Sequence, residues 1–146
     1  MLRDTLKENF IDLEIEANTW EESIRLAAQT LLKEEYITEK YIENMIASVH
    51  ELGPYMVIMP HVAFAHAKPD SSVLKPGISL SRLVNPVKFN SQHNDPVKVI
   101  FTIAANDGTS HMQELSDLAM FLSDDTVIDL LENGTKDEIL NIIEKY

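Results

Sequence analysis

Hydrophobic residues recur at helical spacing in the first third of the chain. The segment from Thr19 to Glu22 matches a capping box, and apolar residues then recur every three or four positions up to Leu32. A second helical pattern begins near Thr38 and ends at Gly53, as is typical of helix termini. This second helix is predicted to bury five apolar residues: Tyr41, Ile42, Met45, Ile46 and Val49.

The middle of the chain changes to the pattern of strands. Residues 55–66, 77–83 and 97–105 are apolar or alternate between apolar and polar positions, and the last of these is rich in β-branched residues. Residues 11–15 alternate in the same way. Because proline cannot donate to a strand ladder, Pro60 argues against one continuous strand over 55–66, which we interpret as one or two strands.

Helical spacing returns in the last third of the chain. Residues 110–122, 124–132 and 135–143 each predict a helix, the last behind a further capping box, and residues 2–9 predict a short one. Helices therefore precede and follow a group of central strands. This order predicts one α/β domain over residues 1–146, with a mixed sheet covered by helices.

Composition narrows the class of protein. The chain has 146 residues and a formal net charge of −12, which argues against nucleic acid and anionic membrane as partners, since both select basic surfaces. The absence of cysteine excludes disulfides, thiolate catalysis and cysteine-ligated zinc. No apolar run approaches the roughly 20 residues of a membrane span, and residues 1–10 lack the pattern of a signal peptide. We therefore expect a cytoplasmic protein.

Residues 54–96 differ in charge from the rest of the chain. They carry four basic and two acidic side chains, whereas residues 1–53 and 97–146 each carry a net charge of −7. The simplest interpretation is that the flanking helices carry the surface acids. A second interpretation is that the net positive charge of this segment helps to bind an anion.

The candidate chemistry rests on two histidines at the ends of predicted strands. His66 ends the segment 55–66, and His111 lies in the first turn of the helix that follows residues 97–105. Loops at strand ends carry functional residues on a rigid scaffold, and neutral imidazole can accept a phosphoryl group as a nucleophile. Lys68 and the amide groups near His111 would then supply donors to that anion. The ordinary alternative is a hydrogen-bonded structural histidine.

A metal site is a further alternative. It would use His61, His66 and His111, as in a metal-dependent hydrolase. However, His61 and His66 are five residues apart, so on one regular strand they would point to opposite faces. No carboxylate lies between them at ligand spacing, and we expect no bound metal.

Two blocks of sequence, residues 53–77 and 94–111, surround the two histidines. They resemble the IIA component of the phosphoenolpyruvate-dependent sugar phosphotransferase system, of the mannitol/fructose type and most of all its ascorbate-specific branch. The similarity in the order of elements covers nearly the whole chain. This resemblance implies a mixed five-stranded or similar sheet flanked by helices, in a single-domain sandwich over residues 1–146.

The family's phosphorylated histidine stands in a Pro-His-Gly motif, and two histidines compete for that position. His61 keeps the proline but not the glycine, whereas His66 has Ala65 and Ala67 in the two flanking places. The basic-Pro-acidic run at residues 68–70 matches the ascorbate branch, so the resemblance assigns the phosphorylated histidine to His66. The altered flanks leave open a non-catalytic regulatory or binding module of the same fold.

The resemblance implies a phosphoryl relay that needs no metal or nucleotide cofactor. His66 would accept a phosphoryl group from the phosphocarrier protein HPr and pass it to a cysteine of a IIB component. A IIC membrane transporter would then place it on the incoming sugar or sugar acid, ascorbate being one candidate. His111 would stabilise the phosphoryl group, and the apolar surround of Phe64 and nearby methionines would form part of a docking face. The sequence leaves open the sugar, the phosphorylated ring nitrogen and whether the chain forms a homodimer.

Overall fold

A computed structural model describes the backbone of residues 1–106 and 108–146, and their side chains except those of residues 108–111 and 114. The strands of this part of the chain are β1 (Ile11–Ile15), β2 (Val57–Met59), β3 (Val62–Ala65), β4 (Gly77–Val87) and β5 (Val97–Ala104). They form one five-stranded sheet in the order β1-β4-β5-β3-β2. The pairs β1/β4 and β3/β5 are parallel, and the pairs β4/β5 and β2/β3 are antiparallel. The predicted mixed sheet is therefore confirmed.

Helices cover both faces of the sheet. They are α1 (Leu2–Thr5), α2 (Trp20–Ala27), α3 (Gln29–Lys33), α4 (Glu39–Leu52), α5 (Gly108–Phe121), α6 (Asp125–Asn133) and α7 (Lys136–Ile143), with a 3-10 turn at Glu8–Phe10. On β4, Ser79 donates a hydrogen bond to the carbonyl of Ala27 in α2, and Arg82 donates to the carbonyl of Leu131 in α6. Because Ser79 and Arg82 have opposite parity on one strand, α2 and α6 lie on opposite faces.

The helix predicted from Thr38 is confirmed as α4. Its buried side chains are the five apolar residues that the periodicity selects. The hydroxyl of Thr38 donates to the carbonyl of Ser72 rather than capping the helix, which ties the start of α4 to the loop after β3. Gly53 ends α4 with a φ of 84°, in the left-handed region that a side chain would disfavour.

The two complete capping-box predictions have different outcomes. At α7, the Thr135 hydroxyl accepts from the Glu138 amide and the Glu138 carboxylate accepts from the Thr135 amide, so this box is confirmed. At α2, Thr19 accepts from the amide of Glu22, but the Glu22 carboxylate accepts from Asn18 instead of Thr19. The helix that follows is also shorter than predicted, since it breaks at Ala28 between α2 and α3.

Pro60 separates β2 from β3, so residues 55–66 contain two strands. β3 is an interior strand whose four residues are all buried, and Phe64 packs edge to face against Phe101 of the parallel strand β5. β4 continues to Val87, beyond its predicted end, because Val87 pairs with Val97 across the antiparallel ladder. In the described residues, no helix is long and apolar enough to cross a membrane.

Candidate functional site

His66 is the first residue after β3, at the edge of the sheet where the strand ends. β3 runs parallel to β5, and their last paired residues are Ala65 and Thr102. Because both strands end at the same edge, the chain that leaves β5 and enters α5 also starts there. The parallel pairing thus positions His66 beside the start of α5.

The imidazole of His66 is held by its own strand. Nδ1 lies 2.6 Å from the carbonyl oxygen of Phe64, and since a carbonyl can only accept, the neutral ring carries its proton on Nδ1. The lone pair of that tautomer is then on Nε2. Burial lowers the pKa of His66, and the bond to Phe64 raises it to a lesser degree. The balance favours the neutral, nucleophilic ring near pH 7.

Tyr55 contacts His66 through both its ring and its hydroxyl. The two rings meet edge to face with their centroids 5.2 Å apart. The Tyr55 hydroxyl donates to the backbone carbonyl of His66 at 2.6 Å. On the other side of the same peptide group, the amide of Ala67 donates to the hydroxyl of Tyr41 at 3.1 Å. Both tyrosines therefore restrain the backbone at the candidate acceptor.

His66 lines an open cleft of about 490 Å³ between the end of α4 and the segment after β3. Lys68 is exposed and lines the same cleft, where its ammonium group is available to an anion. Glu51 and Ser48 of α4 form the opposite wall. The lining of the cleft is thus mixed in charge, because it includes the cation of Lys68 and the carboxylate of Glu51.

The loop after the cleft is fixed by Asp70. Its carboxylate accepts from the amide and the hydroxyl of Ser72 and from the side-chain amide of Asn44 in α4. The hydrogen bonds from the hydroxyl and the amide of Ser72 lower the pKa of Asp70, so the carboxylate is ionised at neutral pH. The contacts anchor the segment that carries Lys68 to α4.

The two alanines beside His66 fit the backbone without strain. Ala65 is buried within β3, in register with Thr102. The non-glycine residues with positive φ in the described part of the chain are Glu35, His61 and Asn90, so Ala67 has a negative φ that does not require glycine. Ala67 also uses its amide in the bond to Tyr41, and its side chain is buried.

The second histidine of the predicted pair, His111, lies in the first turn of α5. Its side chain is outside the described residues, so its role stays a prediction. The backbone nevertheless agrees with the sequence interpretation, in which a helix follows the strand 97–105.

His61 is at the opposite end of β3 from His66. It has a φ of 71°, its Nδ1 lies 2.7 Å from the carbonyl oxygen of Pro96, and its own carbonyl accepts from the amides of Lys98 and Val99. These contacts give it a structural role at the turn between β2 and β3. Four strand residues lie between it and His66, and the five steps along the strand span about 16 Å. Among the described residues, no group of three or more histidine or acidic side chains could hold a metal ion.

The predicted docking face requires a correction. Phe64 is buried, because it packs on Phe101 within the sheet, and Met56 is buried as well. The large apolar side chains exposed near this edge are instead Leu52, at the end of α4, and Met112, in the first turns of α5. Their relative exposures are 68% and 71%, which is enough for contact with another protein.

Sequence reasoning missed the two tyrosines. Tyr41 was correctly predicted as a core residue, but apolar periodicity carries no information about its hydroxyl, which reaches a residue 26 positions away. Tyr55 follows α4 in the sequence Gly-Pro-Tyr. Its place in the block 53–77, which resembles the family, was the only indication from the sequence that it could belong to the site.

Comparison with known proteins identifies the family of the chain. The family model of the phosphoenolpyruvate-dependent sugar phosphotransferase system, EIIA 2, matches residues 4–146. The ascorbate-specific PTS system EIIA component of Salmonella choleraesuis (strain SC-B67) is 35% identical over 147 residues, covering 99% of this chain and 96% of the relative. The component of the same name from Escherichia coli (strain K12) is 34% identical with the same coverage.

Solved structures agree with the fold. The mannitol-specific cryptic phosphotransferase enzyme IIA CmtB from Escherichia coli has a TM-score of 0.88 and 30% identity, with 99% of each chain covered. Enzyme IIAMTL of Escherichia coli, in its complex with phosphorylated enzyme IIBMTL, has a TM-score of 0.84 and 27% identity, covering 97% of this chain and 99% of that one. The chain belongs to the EIIA 2 family of the phosphoenolpyruvate-dependent sugar phosphotransferase system.

Proposed function

We propose that this chain is a protein-histidine phosphoryl carrier that uses His66 as its acceptor. The observation that carries the proposal is the state of the His66 ring. Its proton is held on Nδ1 by Phe64, its pKa is lowered by burial, and it lines an open cleft. A neutral imidazole with a fixed tautomer and access from solvent is suited to attack phosphorus through Nε2.

In the first transfer, one bond to phosphorus breaks and one forms. The P–N bond of phosphorylated HPr breaks as a bond forms between phosphorus and Nε2 of His66. The ring keeps its proton on Nδ1, so positive charge develops on the imidazole and the Phe64 carbonyl offsets it. In the second transfer a cysteine thiolate of a IIB component attacks the same phosphorus, and His66 returns to its neutral state.

His111 and Lys68 are proposed to stabilise the phosphoryl group. The parallel pairing of β3 with β5 supports the role of His111, because it brings the start of α5 to the edge of the sheet that carries His66. The shared cleft supports the role of Lys68, whose exposed ammonium can contact phosphoryl oxygens. Neither role requires a metal or a nucleotide.

The proposed partners are HPr as donor and a IIB component as acceptor, which supplies a IIC transporter for a sugar or sugar acid. Leu52 and Met112 support a docking face at this edge, since Leu52 lines the cleft and Met112 is an exposed apolar side chain in the first turns of α5. The relative solved with phosphorylated IIBMTL supports the acceptor, and the relatives named as ascorbate-specific support a sugar acid.

The test is phosphorylation from radiolabelled phosphoenolpyruvate with enzyme I and HPr. We expect acid-labile label on the wild-type chain, none on His66→Gln, and normal labelling of the matched control His93→Gln, since His93 is exposed in the loop before β5. His111→Gln should retain the acceptor and label more slowly. Label that persists on His66→Gln would contradict the assignment.

A second function of the same fold, a non-catalytic regulatory or binding module, is favoured by the alanines on both sides of His66. The same assay separates the two functions. A folded wild-type chain that takes up no label in the presence of active enzyme I and HPr would favour the module.

A further inference from the structure

One peptide group, between His66 and Ala67, is held by tyrosine hydroxyls at both of its polar atoms. Its carbonyl oxygen accepts from the Tyr55 hydroxyl at 2.6 Å, and its amide donates to the Tyr41 hydroxyl at 3.1 Å. A peptide plane with both groups bonded to side chains from other elements cannot rotate without breaking one of these bonds. Holding this plane fixes ψ of His66 and φ of Ala67, and therefore the position of the Cα that carries the imidazole relative to the segment that follows β3.

The two tyrosines are themselves anchored. The Tyr41 hydroxyl donates to the carbonyl of Ile103 at 2.6 Å, near the end of β5, and its side chain is fully buried. The backbone amide of Tyr55 donates to the carbonyl of Gly53 at 2.8 Å, just after the end of α4. A chain of hydrogen bonds thus runs from the Tyr55 hydroxyl through the peptide group and Tyr41 to Ile103.

We propose that Tyr55 and Tyr41 are positioning residues for phosphoryl transfer, which together clamp the peptide group between His66 and Ala67 and thereby aim the imidazole into the cleft. This inference rests on the proposed function of His66 and deepens it. Neither tyrosine is assigned a covalent step. Tyr41, Tyr55 and that peptide group together form the tyrosine clamp.

The clamp adds to the restraint that Phe64 supplies. The bond from Nδ1 to the Phe64 carbonyl fixes the ring relative to its own strand, whereas the clamp fixes the backbone that follows the ring. Burial raises the pKa of Tyr55, so its phenol stays protonated at neutral pH and keeps donating to His66. Hydrogen bonds in a chain polarise one another, so the bond at the carbonyl also strengthens the bond at the amide.

The clamp also joins the two segments that carry the predicted histidine pair. Ile103 is the next-to-last residue of β5, which leads into α5 and the position of His111. The Tyr41 hydroxyl contacts both Ile103 and Ala67, so it holds the end of β5 against the chain leaving β3. A phosphoryl group on His66 would therefore find its surroundings already organised.

The test uses Tyr55→Phe and Tyr41→Phe, which remove one hydroxyl each and keep the ring. Tyr36→Phe is the matched control, because its ring packs against Phe10 at a distance from the cleft. Two readouts are measured on the full chain. They are the kcat and KM for phosphorylation by phosphorylated HPr, and the hydrogen exchange rate of the Ala67 amide by NMR.

For Tyr55→Phe we expect kcat to fall about tenfold with KM for HPr unchanged, since misplacing a reacting group by about 1 Å can cost up to about a hundredfold. The Ala67 amide should exchange about fivefold faster in Tyr41→Phe, as loss of one ordinary hydrogen bond predicts. Values of kcat and exchange within about twofold of those of Tyr36→Phe would overturn the clamp. Because Tyr41 is buried, Tyr41→Phe could unfold the chain. The result for Tyr55→Phe, at a partly exposed residue, therefore decides whether the clamp acts in phosphoryl transfer.

Failure of the clamp and failure of the proposed function give different results. If the wild-type chain labels on His66 while both readouts stay unchanged in Tyr55→Phe, the clamp is wrong and the carrier function stands. If the wild-type chain takes up no label, the carrier function is wrong and the proposal falls with it. The exchange rate of Ala67 then reports only whether the hydrogen bonds exist.

Discussion

The reactivity proposed for His66 rests on three contacts that each act on a different atom. Phe64 holds the proton on Nδ1, Tyr55 holds the backbone carbonyl, and Tyr41 holds the next amide. The side chain that results is neutral, directed and accessible from the cleft. A histidine with only a structural role at the end of a strand would not require hydrogen bonds that restrain the peptide group after it.

Partial burial should keep His66 neutral at pH values where an ordinary histidine is half protonated. Its NMR titration midpoint is expected below the usual pKa of 6.5. Between the two pKa values the unfolded chain binds a proton that the folded chain does not. The stability contributed by this group is therefore fully present above pH 6.5 and is lost as the pH falls from 6.5 through the lower pKa of the folded chain.

The measurement is the difference in unfolding free energy between the wild-type chain and His66→Gln across this pH range. Other titrating groups contribute about equally to both proteins and cancel. A difference that stays constant from neutral to acidic pH, or a titration midpoint above 6.5, would contradict the assigned environment of the ring.

Substitution of Lys68 tests whether the net positive charge of residues 54–96 has a function. Lys68→Gln removes the cation from the cleft, and we expect phosphorylation of His66 to slow by about tenfold, as when one donor to a transferring anion is lost. Lys88→Gln, an exposed lysine outside the cleft, makes the same change in net charge. Equal rates in the two variants would leave only the distribution of helices as the reason for the charge pattern.

Individual residues also show where prediction from the sequence fails. His66 could be selected because local sequence, the run at residues 68–70, distinguishes it from His61. Phe64 was assigned to a docking face wrongly, because an apolar run does not tell an exposed residue from one in an interior strand. The roles of the Tyr41 and Tyr55 hydroxyls depend on partners 26 and 11 residues away, which no local pattern records.

At the scale of elements, the site depends on the direction of two neighbouring strands. β3 and β5 lie side by side and run parallel, although β4 separates them in the sequence. The strand segments and most helices follow from periodicity, since each element is a local pattern, although periodicity left open whether residues 55–66 form one strand or two. Strand order and direction do not follow from it, because pairing joins residues far apart in the chain. The resemblance implied a mixed five-stranded or similar sheet, and the order and directions of its strands come from the structure.

The complete capping box at α7 gives a prediction for element stability. Thr135→Ala removes the acceptor of the Glu138 amide, and we expect the free energy of unfolding to fall by about 1 kcal/mol. Chemical denaturation measures the change. Thr135→Ser keeps the hydroxyl and should stay close to the wild type, whereas equal losses in both variants would show that the methyl group, not the cap, is responsible.

At the scale of the whole molecule, the charge of −12 is poorly compensated within the fold. In the described part of the chain, two ion pairs join Met1 to Asp4 and Arg25 to Glu43, and a third contact, between His50 and Glu21, is an ion pair only when the imidazole is protonated. All three are substantially exposed, and exposed pairs add little stability. Most of the 24 acidic side chains therefore repel one another across the surface of the helices.

Salt should consequently stabilise this protein at neutral pH. The Debye length falls from about 30 Å at 0.01 M to about 8 Å at 0.15 M ionic strength, which screens repulsion between acids on separate helices. We expect sodium chloride over this range to raise the free energy of unfolding in urea by on the order of 1 kcal/mol. The gain should level off above about 0.15 M, because screening is then nearly complete, whereas a general salting-out effect would keep growing into the molar range. A urea midpoint that stays flat or falls between these salt concentrations would mean that the acids are already neutralised by contacts within the fold.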